Sequence, residues 1–285
     1  MAYGLVWGLV LAANATVGQP ALAKATADKA TADQCRETLQ QALQDKNPDT
    51  RKQAVMAVSL AGAQFLLPVK GMLQDEDVQV RLAAVETLAE VKGPQALAAL
   101  RAALDDTAPE VGFAAARALW ALHDTAGREA LLAVLEGDTK SASGPLTKQK
   151  RDAQRMVHTP RTLLLFAMRQ GIGFAPVPYL GLGVASMQQF LSDPGVSGRA
   201  TVALMLAHDK DPATLDALRV ALTDKDWSVR AAAVQALALR RDPRMSTDVV
   251  PLLDDENQAV RLRAAAGYLG VMSGAAGGRI NAGAR

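Results

Sequence analysis

The stretch LQDEDVQVRLAAVETL, residues 73–88, decides how this chain is read, because its chemistry returns elsewhere. Residues 222–237 are LTDKDWSVRAAAVQAL, and residues 253–269 are LDDENQAVRLRAAAGYL. Each begins with a leucine and has an aspartate two residues on. A short polar residue (Asp77, Asp226 or Asn257) comes two further, and an arginine stands eight after the leucine. Side-chain oxygens of that length accept hydrogen bonds from the free amides of a helix's first turn, so a helix starts there. Val80, Ala84 and Leu88, like Val229, Ala233 and Leu237, then recur every four residues and define one apolar helix face.

Working outward, the leucine that precedes an acidic turn recurs at Leu43, Leu73, Leu104, Leu135, Leu191, Leu222 and Leu253. The steps are 30 or 31 residues except for one of 56, which is one unit with 25 residues added. Pro48 and Pro109 fall at first helical positions, where the missing N–H costs nothing, and Pro94, Pro212 and Pro243 each open a second helix. The fold expected is an all-α solenoid of about seven stacked helical hairpins, one of them interrupted, because no single hairpin has enough apolar surface to fold alone. Asp45, Asp75, Asp193, Asp224 and Asp255 lie at the turns, with Arg51, Arg81, Arg199, Arg230 and Arg261 six residues after them. Such columns are expected to join neighbouring units in a charge-assisted ladder. The third unit carries Gly112 in the arginine column, and its Trp120 is expected to fill the space.

The three quoted stretches resemble HEAT repeats, specifically the short bacterial type similar to the HEAT-like units of phycobilin lyases. The likeness covers roughly residues 33–272 outside the insertion. It implies an α-solenoid whose second helices line a concave surface, with a protein partner bound there. It also implies an alternative role as accessory to an enzyme or as a pigment-lyase-like chaperone.

Composition and motifs point away from catalysis. The chain has 285 residues, 49% hydrophobic and only 4% aromatic, which suits close helix packing better than a sandwich or barrel. A net charge of +2 is too small for a dedicated nucleic-acid binder. One cysteine, Cys35, excludes an internal disulfide and a multi-cysteine zinc site, and it aligns with Phe65, Ala96 and Met245 as a core position. His123, His158 and His208 have no metal-ligand spacing, and the Gly-x-Gly pairs near residue 171 and residue 181 lack the strand that a dinucleotide fingerprint follows. No catalytic residue, cofactor, metal, nucleic acid or small-molecule substrate is expected. The chain reads as a non-enzymatic interaction scaffold with an unknown protein partner.

Two segments stand outside the repeat. Residues 1–23 have the apolar run and the Ala21-Leu22-Ala23 ending of a signal peptide, so an exported, periplasmic or envelope-associated bacterial protein is expected, and a cytoplasmic one if that signal does not work. A polar spacer (24–33), an N-terminal repeat block (34–136), an insert (137–190), a C-terminal repeat block (191–272) and a flexible tail (273–285) follow. The insert has a basic half with Lys148, Lys150, Arg151, Arg155 and Arg161, then the apolar GIGFAPVPYLGLGV of 171–184. Its Phe174, Val177, Tyr179 and Leu180 are candidate contacts for a partner or, in a membrane-associated adaptor, for an anionic surface. Cleavage after Ala23 predicts that N-terminal sequencing of the native protein begins at Lys24. Intact Met1 on a cytoplasmic protein would defeat the export reading.

Overall fold

The computed structural model describes residues 19–136, 196–242 and 244–282, and every regular element in them is helical. Helices α2 (Pro48–Val58), α4 (Val78–Val91), α6 (Pro109–Ala121), α8 (Gly198–Met205), α10 (Trp227–Arg240) and α12 (Gln258–Ala282) carry the arginine column. They are called ladder helices below. The other layer holds α1 (Gln19–Leu43), α3 (Leu66–Met72), α5 (Pro94–Ala102), α7 (Thr125–Glu136), α9 (Pro212–Ala221) and α11 (Met245–Asp248).

Local chemistry starts the helices where the caps stand. Asn47 accepts from the amide of Asp49, Asp77 from those of Gln79 and Val80, Asp226 from that of Ser228, and Asn257 from that of Ala259. Pro48, Pro94, Pro109 and Pro212 each open their helix. The buried faces are the expected ones, with Val80, Ala84 and Leu88 of α4 fully enclosed. Cys35, Phe65, Ala96 and Met245 are all buried, and desolvation pushes the Cys35 thiol up to about 11, far from a reactive thiolate. The stretch Pro48–Met72 is long and apolar enough to cross a membrane by composition alone. Gly62, at a φ of 74°, breaks it, and α2 packs between α4 and α12 as part of the core.

Adjacent ladder helices pack along one another's lengths, whereas the helices of the other layer mostly touch ladder helices and barely each other. Alanine at the contacts, as in Ala83, Ala231, Ala232 and Ala264, allows this close approach. The side of the ladder helices turned away from the other layer is called the inner face below.

The order in space differs from the order in sequence. Ladder helices pack as α8, α10, α12, then α2, α4, α6, so the last unit stacks on the first. Helix α1 lies between α12 and α2 as α5 lies between α4 and α6. Across this joint Thr50 Oγ1 meets Gln258 Oε1 at 3.1 Å and Arg263 Nη1 donates to Gln53 Oε1 at 3.1 Å. The Tyr268 hydroxyl donates to the Asp28 carbonyl at 3.4 Å, and Gln64 Nε2 to Ser273 Oγ at 3.4 Å.

Two boundary expectations change as a result. Residues 24–33 are the exposed first half of α1 and not a spacer, since their Ala, Thr, Lys and Asp continue one helix that docks at Thr31 and Ala32. Residues 273–282 continue α12 and are not a tail. The joint tolerates no side chain at Gly270, because a methyl group there would collide with the Leu60 carbonyl oxygen. Gly270→Ala is therefore expected to cost about 1–3 kcal/mol through forced backbone shifts, read as a lower urea midpoint. An unchanged midpoint would mean that α12 and the turn at Leu60 do not approach so closely.

Candidate functional site

The turns and ladder arginines form one connected edge. Arg51 Nε and Nη2 donate to the two carboxylate oxygens of Asp75, both at 2.8 Å, while Nη1 donates to the backbone carbonyls of Asp45 and Lys46 at 2.9 and 3.1 Å. Arg81 repeats this, with Asp106 at 2.9 and 3.1 Å and the Asp75 carbonyl at 2.8 Å. Arg230 repeats it again, with Asp255 at 2.7 and 2.8 Å and the Asp224 carbonyl at 2.9 Å. The side-chain link thus reaches the aspartate of the following unit, and the aspartate six residues back contributes its carbonyl. Each carboxylate also accepts an amide two residues on, as Asp75 does from Asp77 at 2.9 Å. Each nitrogen of these nearly buried guanidinium groups donates, in a planar, bidentate geometry that lysine cannot supply.

The pairs differ in exposure, and two breaks occur. Arg199 pairs with Asp224 at 2.6 Å, but its side chain is 56% exposed. Arg261 donates only to the carbonyls of Asp255 and Glu256, and Asp45 accepts from the Asn47 amide, so these two ladder residues face the joint without meeting. Gly112 stands on α6 at one end of the described array, where no following described unit offers an aspartate. Trp120 is 59% exposed, so the indole does not fill that position. In the outer layer Arg101 pairs with Asp124 at 2.5 Å and Arg219 with Asp248 at 2.9 Å. An open depression of about 310 Å³ lies beside Asp75, Arg81 and Asp106, on the ladder edge itself. Asp193 and the insert residues Lys148, Lys150, Arg151, Arg155, Arg161, Phe174, Val177, Tyr179 and Leu180 lie outside the described residues.

Charge along the ladder is held in place. Burial pushes the Asp75 and Asp255 carboxyls up, but the arginine hydrogen bonds, the turn amide and the arginine charges outweigh it and hold both below the usual carboxylate range.

The inner face is set by helix periodicity. On each ladder helix the residues one before and three and seven after the arginine column face the outer layer, so the residue five after points about 160° away from it. That inward column reads Met56, Glu86, Arg117, Leu204, Gln235 and Ala266. Met56, Leu204, Gln235 and Ala266 are only 3%, 2%, 4% and 0% exposed. Glu86 Oε2 is out of solvent reach and has no hydrogen-bond partner. Burial, then the nearby Glu90 charge, push its carboxyl up to about 8, against the pull of Arg117. Sequence reasoning missed Glu86 because a glutamate in mid-helix looks like an ordinary solvated one. Among the described residues no group of three His, Cys, Asp or Glu side chains is placed to hold a metal.

Comparison with known proteins gave one family match and one structural neighbour. A family model described as HEAT repeats matches residues 65–142 and 184–270. A crystal structure of an engineered protein is 17% identical, with 85% of this chain and 97% of that one covered at a TM-score of 0.26. No curated protein matches the chain.

Ladder energetics follow burial. Arg81→Ala or Arg230→Ala leaves a buried aspartate without its cation and is expected to cost about 3–5 kcal/mol. The exposed Arg199→Ala is expected to cost about 1 kcal/mol or less, with urea midpoints ranking the three. Equal midpoints would remove the buried pairs from the account of stability.

The pH profile has two arms. Asp75 and Asp255, with lowered folded values, contribute stability that is present above the unfolded value of 3.8 and is lost as pH falls through their folded values. Glu86 has a folded value raised from 4.5 to about 8, so its contribution is fully present below 4.5 and is lost as pH rises through 8. Glu86→Gln should abolish the loss between pH 5 and 8 in urea titrations. A variant with the wild-type slope would show that Glu86 is ionised in the folded protein.

Proposed function

The chain belongs to the HEAT-repeat family, and we propose on that premise that it is a non-enzymatic scaffold binding a protein partner along its inner face. HEAT repeats generally serve as protein-interaction scaffolds. The observation that carries this reading is the continuity of the ladder-helix layer. Six helices from α8 to α6 present one uninterrupted inner surface, and it crosses the joint between the two ends of the chain. Such a surface offers many small contacts along an extended ligand, as solenoids do.

We read residues 1–23 as an export signal on their apolar run and Ala21-Leu22-Ala23 ending, which puts the proposed scaffold in the periplasm or envelope, and the basic and apolar composition of the insert supports contacts to a partner or to an anionic membrane surface. A pigment-lyase-like accessory role rests on the three quoted repeat stretches, and a visible absorbance band on the purified native protein would favour it.

Affinity capture tests the main reading with three full-length forms. Wild type and an outer-face control, Leu67→Ala with Val220→Ala, are expected to retain the same partner. Leu82→Glu with Arg117→Glu, on the inner side of α4 and α6, is expected to lose it. Equal retention by all three would move the partner off the inner face.

A further inference from the structure

One contact recurs where neighbouring ladder helices meet at the turn edge, and one junction lacks it. Arg199 reaches Asp224 between α8 and α10, and Arg230 reaches Asp255 between α10 and α12. Arg51 reaches Asp75 between α2 and α4, and Arg81 reaches Asp106 between α4 and α6. Between α12 and α2 the residues in the same two columns are Arg261 and Asp45, and no bond joins them.

Each half of the contact is already formed at that junction. Arg261 Nη1 donates to the carbonyls of Asp255 and Glu256 at 2.6 and 3.0 Å, as Arg51 Nη1 does to those of Asp45 and Lys46. Its Nε and Nη2 are the atoms that take the carboxylate in Arg51, Arg81 and Arg230, and among the described residues they have no partner. Asp45 Oδ1 accepts from the Asn47 amide at 2.8 Å, as Asp75 Oδ1 does from Asp77 at 2.9 Å and Asp255 Oδ1 from Asn257 at 2.8 Å. A guanidinium and a carboxylate that are each oriented by their own turn join when one turn moves relative to the other, with little further ordering to offset the charge-assisted bonds.

The remaining contacts of the joint allow that movement. Its hydrogen bonds are single ones between side chains, 3.1 Å for Thr50 with Gln258 and for Arg263 with Gln53, and 3.4 Å for Gln64 with Ser273. Side chains of this kind follow a small displacement by changing rotamer. The rigid approach is that of Gly270 to the Leu60 carbonyl oxygen. It lies about 13 Å along α12 from Arg261, at about 1.5 Å per residue. With that contact as pivot, a rotation of about 10° moves Arg261 by about 2 Å.

We propose that the joint between α12 and α2 is the hinge of the array, with Arg261 and Asp45 as its latch. In the open state, the one in the structure, the two groups stand apart. In the closed state Arg261 Nε and Nη2 take the Asp45 carboxylate in the bidentate geometry of the other junctions. The helices α8, α10 and α12 then turn as one body against α2, α4 and α6, and the inner face that crosses the joint changes shape. The hinge does not depend on that face binding a partner.

Pulsed measurement of spin-label distances in the full chain tests the hinge with no partner present. One label pair, on Glu129→Cys and Lys210→Cys, spans the joint, and a second, on Glu129→Cys and Gln74→Cys, lies within the N-terminal block. All three positions are exposed, whereas Cys35 is buried with its thiol pushed up to about 11 and stays unlabelled. Asp45→Asn removes the charge and keeps an acceptor for the Asn47 amide, and Arg261→Gln keeps a donor for its own turn. The wild-type distribution across the joint is expected to hold a closed component displaced by about 4 Å from the open one, the movement of an arm of about 20–25 Å under the same rotation. Both variants are expected to lose that component, with the within-block distances unchanged. Its absence from the wild type, its persistence in either variant, or an equal shift within the block overturns the proposal.

Discussion

A guanidinium that satisfies two units at once is the interaction on which the array depends. Arg51, Arg81 and Arg230 each clamp the aspartate of the next turn and tie down the carbonyls of their own turn. A turn between helices leaves carbonyls and amides without partners, and burying it would be costly without such a group. The arginine solves both problems from one side chain. It therefore fixes the angle between units as well as their attachment, which hydrophobic contact between alanine-rich helices leaves loosely specified. A buried pair of this kind contributes more to geometry than to net stability, since desolvation offsets much of the attraction.

The joint between α12 and α2 shows what happens where that rule is suspended. Arg261 and Asp45 stand in the ladder columns but do not meet. Close packing at Gly270 and side-chain hydrogen bonds, from the Thr50 hydroxyl to Gln258, from Arg263 to the Gln53 carbonyl oxygen and from the Gln64 amide to Ser273, hold the two ends of the described chain together there. In a solenoid each unit normally touches only its neighbours in sequence. Here the first unit is an interior one, and the outermost described helices are those flanking the insert. That arrangement puts the two described elements that flank the insert in sequence, α7 and α8, at opposite ends of the described row.

The inner face and the ladder edge divide the labour. The edge is charged, saturated with hydrogen bonds and structural. The inward column mixes buried apolar residues (Met56, Leu204, Ala266) with polar ones (Glu86, Arg117, Gln235), and the Glu86 Oε2 on α4 has no hydrogen-bond partner. Burial and the neighbouring Glu90 charge hold its carboxyl well above the usual carboxylate range, against the pull of Arg117.

Much of this was legible in the residues themselves. A period of 30 or 31, caps at Asn47, Asp77, Asp226 and Asn257, and the two charged columns are local patterns, and local patterns are what a sequence states directly. Helix starts, hairpins and an all-α solenoid follow from them. Stacking order does not, because every ladder helix offers nearly the same small-residue face, and nothing in the alanines of α12 says that they will meet α2. Trp120 was expected to fill the place of the missing arginine but is exposed, and Glu86 was passed over because burial is a property of neighbours. Only tertiary structure decided these points, since each depends on which surface finds which, and like surfaces carry no address.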